Sequence, residues 1–143
     1  MTTLIQQKTG NDCVLAAIAM AAGKERWEDL WTEEDLQSVV ASKGISDWEP
    51  WMVRAGLGKE YVGWWEVHTS HIDDGHVSIM LWKRRALLSV NSLNNNGGHH
   101  AVYWDGDKVY DPHTGHEDQG YIAFKWLSSI RITRVLLLAG GCP

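Results

Sequence analysis

The sequence predicts an α+β domain in which an N-terminal helical part packs on a C-terminal antiparallel β-sheet. Three observations predict it: apolar residues recur at helical spacing early in the chain, β-branched and aromatic residues dominate later, and turn-forming clusters separate the later runs. With 143 residues, 44% apolar and 22% charged, the chain has the length of one domain with a single core. A single domain over 1–143 is expected, mainly helical over about 1–60 and mainly β-sheet over about 61–139.

The elements follow in order. Asp12 is of N-cap type, Val14, Leu15, Ile18 and Ala22 succeed it at helical spacing, and Gly23 closes the run. Cys13 therefore falls at a helix N-terminus. Thr32-Glu33-Glu34-Asp35 reads as a capping box with a shorter acid, opening a second helix through Val39 and Val40 to Gly44. A third helix is expected over 47–55, with Pro50 tolerated in its first turn. Beyond Gly58, the segments 61–68, 77–82 and 86–91 read as strands, the last ("ALLSVN") as a buried one. A loop at "NSLNNNGG", the stretch "HHAVYWDGDKVYDP" and a final strand over 130–138 complete the chain, which has no internal repeat.

Composition narrows the function. A net charge of −5 gives no global field for a phosphate backbone, so nucleic acid is not an expected partner. The basic cluster Lys83-Arg84-Arg85 is short and reads as a solvated turn between strands. Two cysteines, Cys13 and Cys142, make neither a disulfide framework nor a metal ribbon, which fits a reducing, cytoplasmic compartment. The run "VLAAIAMAA" follows Asn11 and Asp12 rather than a basic leader, and no run approaches the ~20 apolar residues that span a bilayer. His68, His71 and His76 cluster, as do His113 and His116, but neither set has zinc spacing with a fourth ligand; no metal and no cofactor are expected. The nine tryptophans are expected mostly in the core, and Gly140-Gly141 reads as a frayed tail.

The chemistry emerges from "HHAVYWDGDKVYDP". A two-residue type I′ turn at Asp105-Gly106 would set Trp104 against Asp107, Tyr103 against Lys108, Val102 against Val109 and His100 against Asp111. Cross-strand partners have Cβ atoms about 4.5–5.5 Å apart, so imidazole and carboxylate would bond. His99 would then face the other way, opposite Pro112; a loop of another length makes His99 the alternative base. A carboxylate-held histidine can take the proton of a thiol, and a helix N-terminus with an adjacent imidazolium favours the thiolate. Cys13 is the nucleophile candidate, and Gln7, ahead of the helix in "QQKTGNDC", is the candidate oxyanion donor together with the Cys13 backbone N–H; Gln6 is its weaker neighbour.

These blocks, Gln7 and Cys13 as Q-x5-C with Asp12 before the cysteine, "GHHAV" over 98–102 and "YDPHTG" over 110–115, resemble the papain-like cysteine peptidases. The similarity is greater to the small bacterial branch that removes double-glycine leader peptides from bacteriocins. The order Gln, Cys, His, Asp is that of the family, and "ALLSVN" resembles the strand preceding its histidine. The resemblance implies a papain-like fold and a thiol protease cleaving a peptide or protein substrate through Cys13, His100 and Asp111; a compact, leaderless, tryptophan-rich chain would suit a bacterial or phage protein. Two alternatives stand beside it: another thiol acyl-transfer enzyme, such as a deamidase, transglutaminase or amidase, and a catalytically inactive binding protein anchored by tryptophans. The sequence sets no oligomeric state.

Overall fold

A helix begins at Cys13 because nine residues without glycine, proline or charge follow the polar loop 8–12. The computed structural model describes residues 2–58, 61–66, 83–91, 99–106, 108–112, 121–122 and 132–141, and in it this helix, α1, spans Cys13–Ala21. Val14 to Ala21 are all buried, so α1 has no solvent face. Four alanines on it allow close approach to the sheet, and the Trp31 indole donates to the Leu15 carbonyl at 2.8 Å. The Arg85 guanidinium donates to the Ala21 carbonyl at the C-terminal end, supplying a partner that the helix cannot provide for itself.

Helix α2, Glu33–Ala41, carries the expected capping box: the Asp35 N–H donates to Thr32 Oγ1 at 3.2 Å and the Thr32 N–H to Asp35 Oδ2 at 2.9 Å. It ends through Lys43 and Gly44, both at positive φ, of 59° and 122°. Helix α3, Glu49–Arg54, has Pro50 in its first turn and buries Met52. Arg54 ties it back to Asp35 at 2.7 Å and lies over the rings of Trp31 and Trp51. Trp27, Trp31, Trp48 and Trp104 are buried, as expected of a tryptophan-rich core.

The strands are β1 Tyr61–Glu66, β2 Arg84–Asn91, β3 His99–Trp104, β4 Lys108–Tyr110, β5 Tyr121–Ile122 and β6 Ile132–Gly141. They form one antiparallel sheet in the order β1-β6-β2-β3-β4-β5. Leu87, Ala101, Tyr103, Leu136 and Leu138 pack on the helices, while Ala86, Leu88, Val90, Val102, Trp104, Val135 and Leu137 are buried on the opposite face. Burial on both faces is why "ALLSVN" reads as a continuous apolar run rather than an alternating one. The architecture is α+β, with every described helix before β1. Among the described residues no helix is long and apolar enough to cross a membrane.

Four expectations are corrected. The hairpin pairs Trp104 with Val109 and Tyr103 with Tyr110, two residues out of the I′ register. A type I′ turn needs positive φ at both central residues, and here only Gly106 has it, at 105°. The Gly106 carbonyl instead accepts from the Lys83 N–H at 3.2 Å, and Asp105 bonds the Tyr110 hydroxyl. The Asp12 side chain makes no cap bond to α1. Arg85 is no part of a solvated turn: besides Ala21 it donates to the Tyr103 hydroxyl at 2.9 Å. Gly140 and Gly141 are no frayed tail but the end of β6, where Gly141 pairs with Arg84. The strand expected over 77–82, the loop glycines, Cys142 and the histidines at 68, 71, 76, 113 and 116 lie outside the described residues.

Candidate active site

Cys13 occupies the first position of α1, half-buried, and His100 the second position of β3. Packing of α1 across β3 places the helix end at the strand end. His100 Nε2 lies 2.6 Å from Asp111 Oδ1, with side chains 13% and 4% exposed. The Cys13 side chain acts on the same imidazole, and with Nε2 turned to Asp111 the ring nitrogen that remains is Nδ1. Asp111 is reached diagonally, because the two-residue register shift is even and keeps it on the His100 side of the ribbon.

The imidazole is strongly biased toward its charged form. Burial works against the imidazolium, but hydrogen bonds to Asp111 and Cys13 and the attraction of both groups outweigh it, raising the His100 pKa from 6.5 to about 9. At neutral pH a cation therefore stands beside the sulfur, next to an α-helix N-terminus that no side chain caps.

Asp12 explains why the helix end stays uncapped. Its fully buried carboxylate accepts from the Lys8 N–H at 2.9 Å, the Thr9 N–H at 2.6 Å, the Thr9 hydroxyl at 2.8 Å and the Trp27 indole at 3.1 Å. The carboxylate thus pins the loop ahead of Cys13 instead of neutralising the helix dipole beside the thiol. The pinned Thr9 carbonyl accepts from Gln7 Nε2 at 2.7 Å, and the Gln7 N–H donates to the Pro112 carbonyl at 2.8 Å. Gln7 is thereby fixed between the cysteine loop and the chain just past Asp111. Its Oε1 is buried without a hydrogen-bond partner, and the bond to Thr9 fixes which end of the amide is nitrogen.

A cavity of about 630 Å³ opens on the thiol. Cys13, Val14, His100 and Ser89 are among its lining residues, as are the loop over 42–46, Thr133 and Arg134. Gln7 is not among its described lining residues. The loop over 42–46, Thr133 and Arg134 escape sequence reading because neither residue type nor spacing marks them. Thr133 is the extra residue of a β-bulge: Ser89 faces Arg134 and Val90 faces Ile132, so Thr133 has no counterpart on β2. Among the described residues no group of three or more metal-ligating side chains assembles.

The structure thus brings together Cys13, His100 and Asp111, ties Gln7 to Thr9 and to Pro112 rather than to the cavity lining described, and describes His99 only in its backbone pairing with Asn91. Comparison with protein-family models, curated proteins and solved structures found no match.

Proposed function

We propose that the chain is a papain-like cysteine hydrolase that cleaves an amide bond of a peptide or protein by thiol acyl transfer. The observation that carries this reading is one buried imidazole shared between the Asp111 carboxylate, at 2.6 Å, and the Cys13 side chain. The Cys13 sulfur attacks the carbonyl carbon, and the oxyanion that forms faces the Cys13 N–H and the free Nε2 hydrogen of Gln7. The His100 imidazolium then protonates the departing amine as the C–N bond breaks, leaving a thioester. Neutral His100 takes a proton from water, the hydroxide oxygen adds to the thioester carbon, and the thiol departs with the proton returned to it. Asp111 holds the ring in the tautomer that presents Nδ1 to the sulfur throughout.

Deamidation or transglutamination shares every step up to the thioester and differs in the bond broken or the final acceptor. The deciding experiment incubates the chain with a mixed peptide library in H₂¹⁸O and reads products by mass spectrometry. New C-termini carrying ¹⁸O, absent with Cys13→Ala, are expected. Products that persist in Cys13→Ala, or none from the wild type, overturn the reading.

A further inference from the structure

Among the described residues, the lining of the cavity beside Cys13 has a charge character opposite to that of the chain. The protein carries 18 acidic residues against 13 basic ones, yet the described lining includes Lys43 and Arg134 and no aspartate or glutamate. Two local irregularities place these cations there. Lys43 sits at a φ of 59°, the left-handed helix-ending position that glycine occupies more readily, with Gly44 next to it. Lys43 is thus kept in the cavity wall at a conformational cost. Arg134 follows the bulge at Thr133, which brings both residues to the cavity, and Arg134 Nη1 lies 3.4 Å from the Ser46 carbonyl of the same loop as Lys43. In the β1–β6 backbone register Arg134 pairs with Glu66, and the 42–46 loop that carries Lys43 contains no acid.

We propose that this cavity selects a carboxylate-bearing peptide, with Lys43 and Arg134 holding the carboxylate while the reacting amide lies at Cys13. The inference rests on the reading of this cavity as the seat of the Cys13 chemistry. An acidic side chain and a free peptide C-terminus offer the same group, and a cavity of about 630 Å³ is of the size that holds a short peptide segment.

The test requires no turnover. Cys13 is alkylated with iodoacetate and with iodoacetamide at low salt, the sulfur displacing iodide in each case, and modification at Cys13 is read by peptide mass spectrometry. The ratio of the two rates is expected to fall two- to fivefold in Lys43→Gln and in Arg134→Gln, as removal of one partly screened charge near an anion does, and to fall in the wild type at 0.5 M salt. A ratio unchanged in both variants overturns the proposal. Protection of Cys13 from iodoacetamide then separates the sources. Protection by an acetylated, amidated Glu-Glu peptide but not its Gln-Gln counterpart assigns an acidic side chain; protection by the Gln-Gln peptide only with a free C-terminus assigns the terminal carboxylate. Equal protection by all three overturns the proposal. A wild-type chain that shows the charge preference but hydrolyses no peptide keeps the carboxylate site and removes the hydrolase reading.

Discussion

His100 Nε2 and Asp111 Oδ1 meet at 2.6 Å although the two residues are not cross-strand partners. Asp111 lies one residue beyond β4, and its neighbour Tyr110 pairs with Tyr103 and stacks on it, ring centroids 6.2 Å apart. The stacked tyrosines fix the strand end from which the carboxylate reaches back to the imidazole.

Stability should depend on pH through this pair. The folded His100 titrates at about 9 against an ordinary 6.5, so its contribution is complete below about pH 6.5 and disappears as pH rises through about 9. Urea midpoints of the wild type should fall between pH 6 and pH 9.5, whereas Asp111→Asn, lacking the charge that holds the imidazolium, should show a flatter profile. The same substitution should lower turnover by on the order of 10²- to 10⁴-fold.

Gln7→Ala should separate catalysis from folding. Loss of one oxyanion donor lowers kcat on the order of 10²- to 10³-fold with KM little changed. Stability should move by less than about 1 kcal/mol, because the lost bond to Thr9 is offset by removal of the buried, unpartnered Oε1. Peptide kinetics and urea unfolding on the same preparation check both halves.

Asp12→Ala should be far more damaging to the fold than its place beside a helix cap implies. It deprives the Lys8 N–H, Thr9 N–H, Thr9 hydroxyl and Trp27 indole of their acceptor, a loss of roughly 3 kcal/mol when donors remain unpaired. Trp27→Phe removes one of these bonds and should cost about 1 kcal/mol in hydrogen bonding plus whatever repacking the smaller ring requires. Chemical denaturation of both variants orders them.

Lys43→Gly should stabilise the chain by about 0.5–1 kcal/mol, since glycine adopts the left-handed conformation without the steric cost a lysine bears. Lys43→Ala keeps that cost and should not stabilise. Thermal unfolding of the two variants distinguishes backbone strain from a lost side-chain contact.

Much of this architecture was legible in the chain. The helical spacing after Asp12, the Thr32 box and the apolar run over 86–91 predicted α1, α2 and β2 because burial and capping act locally. The pairing of His100 with Asp111 was also legible, but through a register the structure does not adopt. Asp-Gly marks a turn without fixing its length, and here Asp105 bonds Tyr110 while Gly106 bonds Lys83, tertiary contacts that no dipeptide encodes. An even shift left the outcome intact, since side chains two residues apart share a face. Asp12 reads as a helix cap in sequence and is a loop anchor in space because Trp27, fifteen residues away, supplies a competing donor. Gly44 marks the end of α2 in sequence, but nothing marks the loop over 42–46 as a cavity wall, and the bulge at Thr133 carries no sequence signal, as both are defined by what they pack against.

The most direct test of the account is the rate at which iodoacetamide labels Cys13 at pH 7 in the wild type and in His100→Ala. If one imidazole activates the sulfur, labelling is rapid in the wild type and at least tenfold slower in the variant. Slow labelling that is indifferent to His100→Ala would contradict it, leaving the α+β architecture without the chemistry.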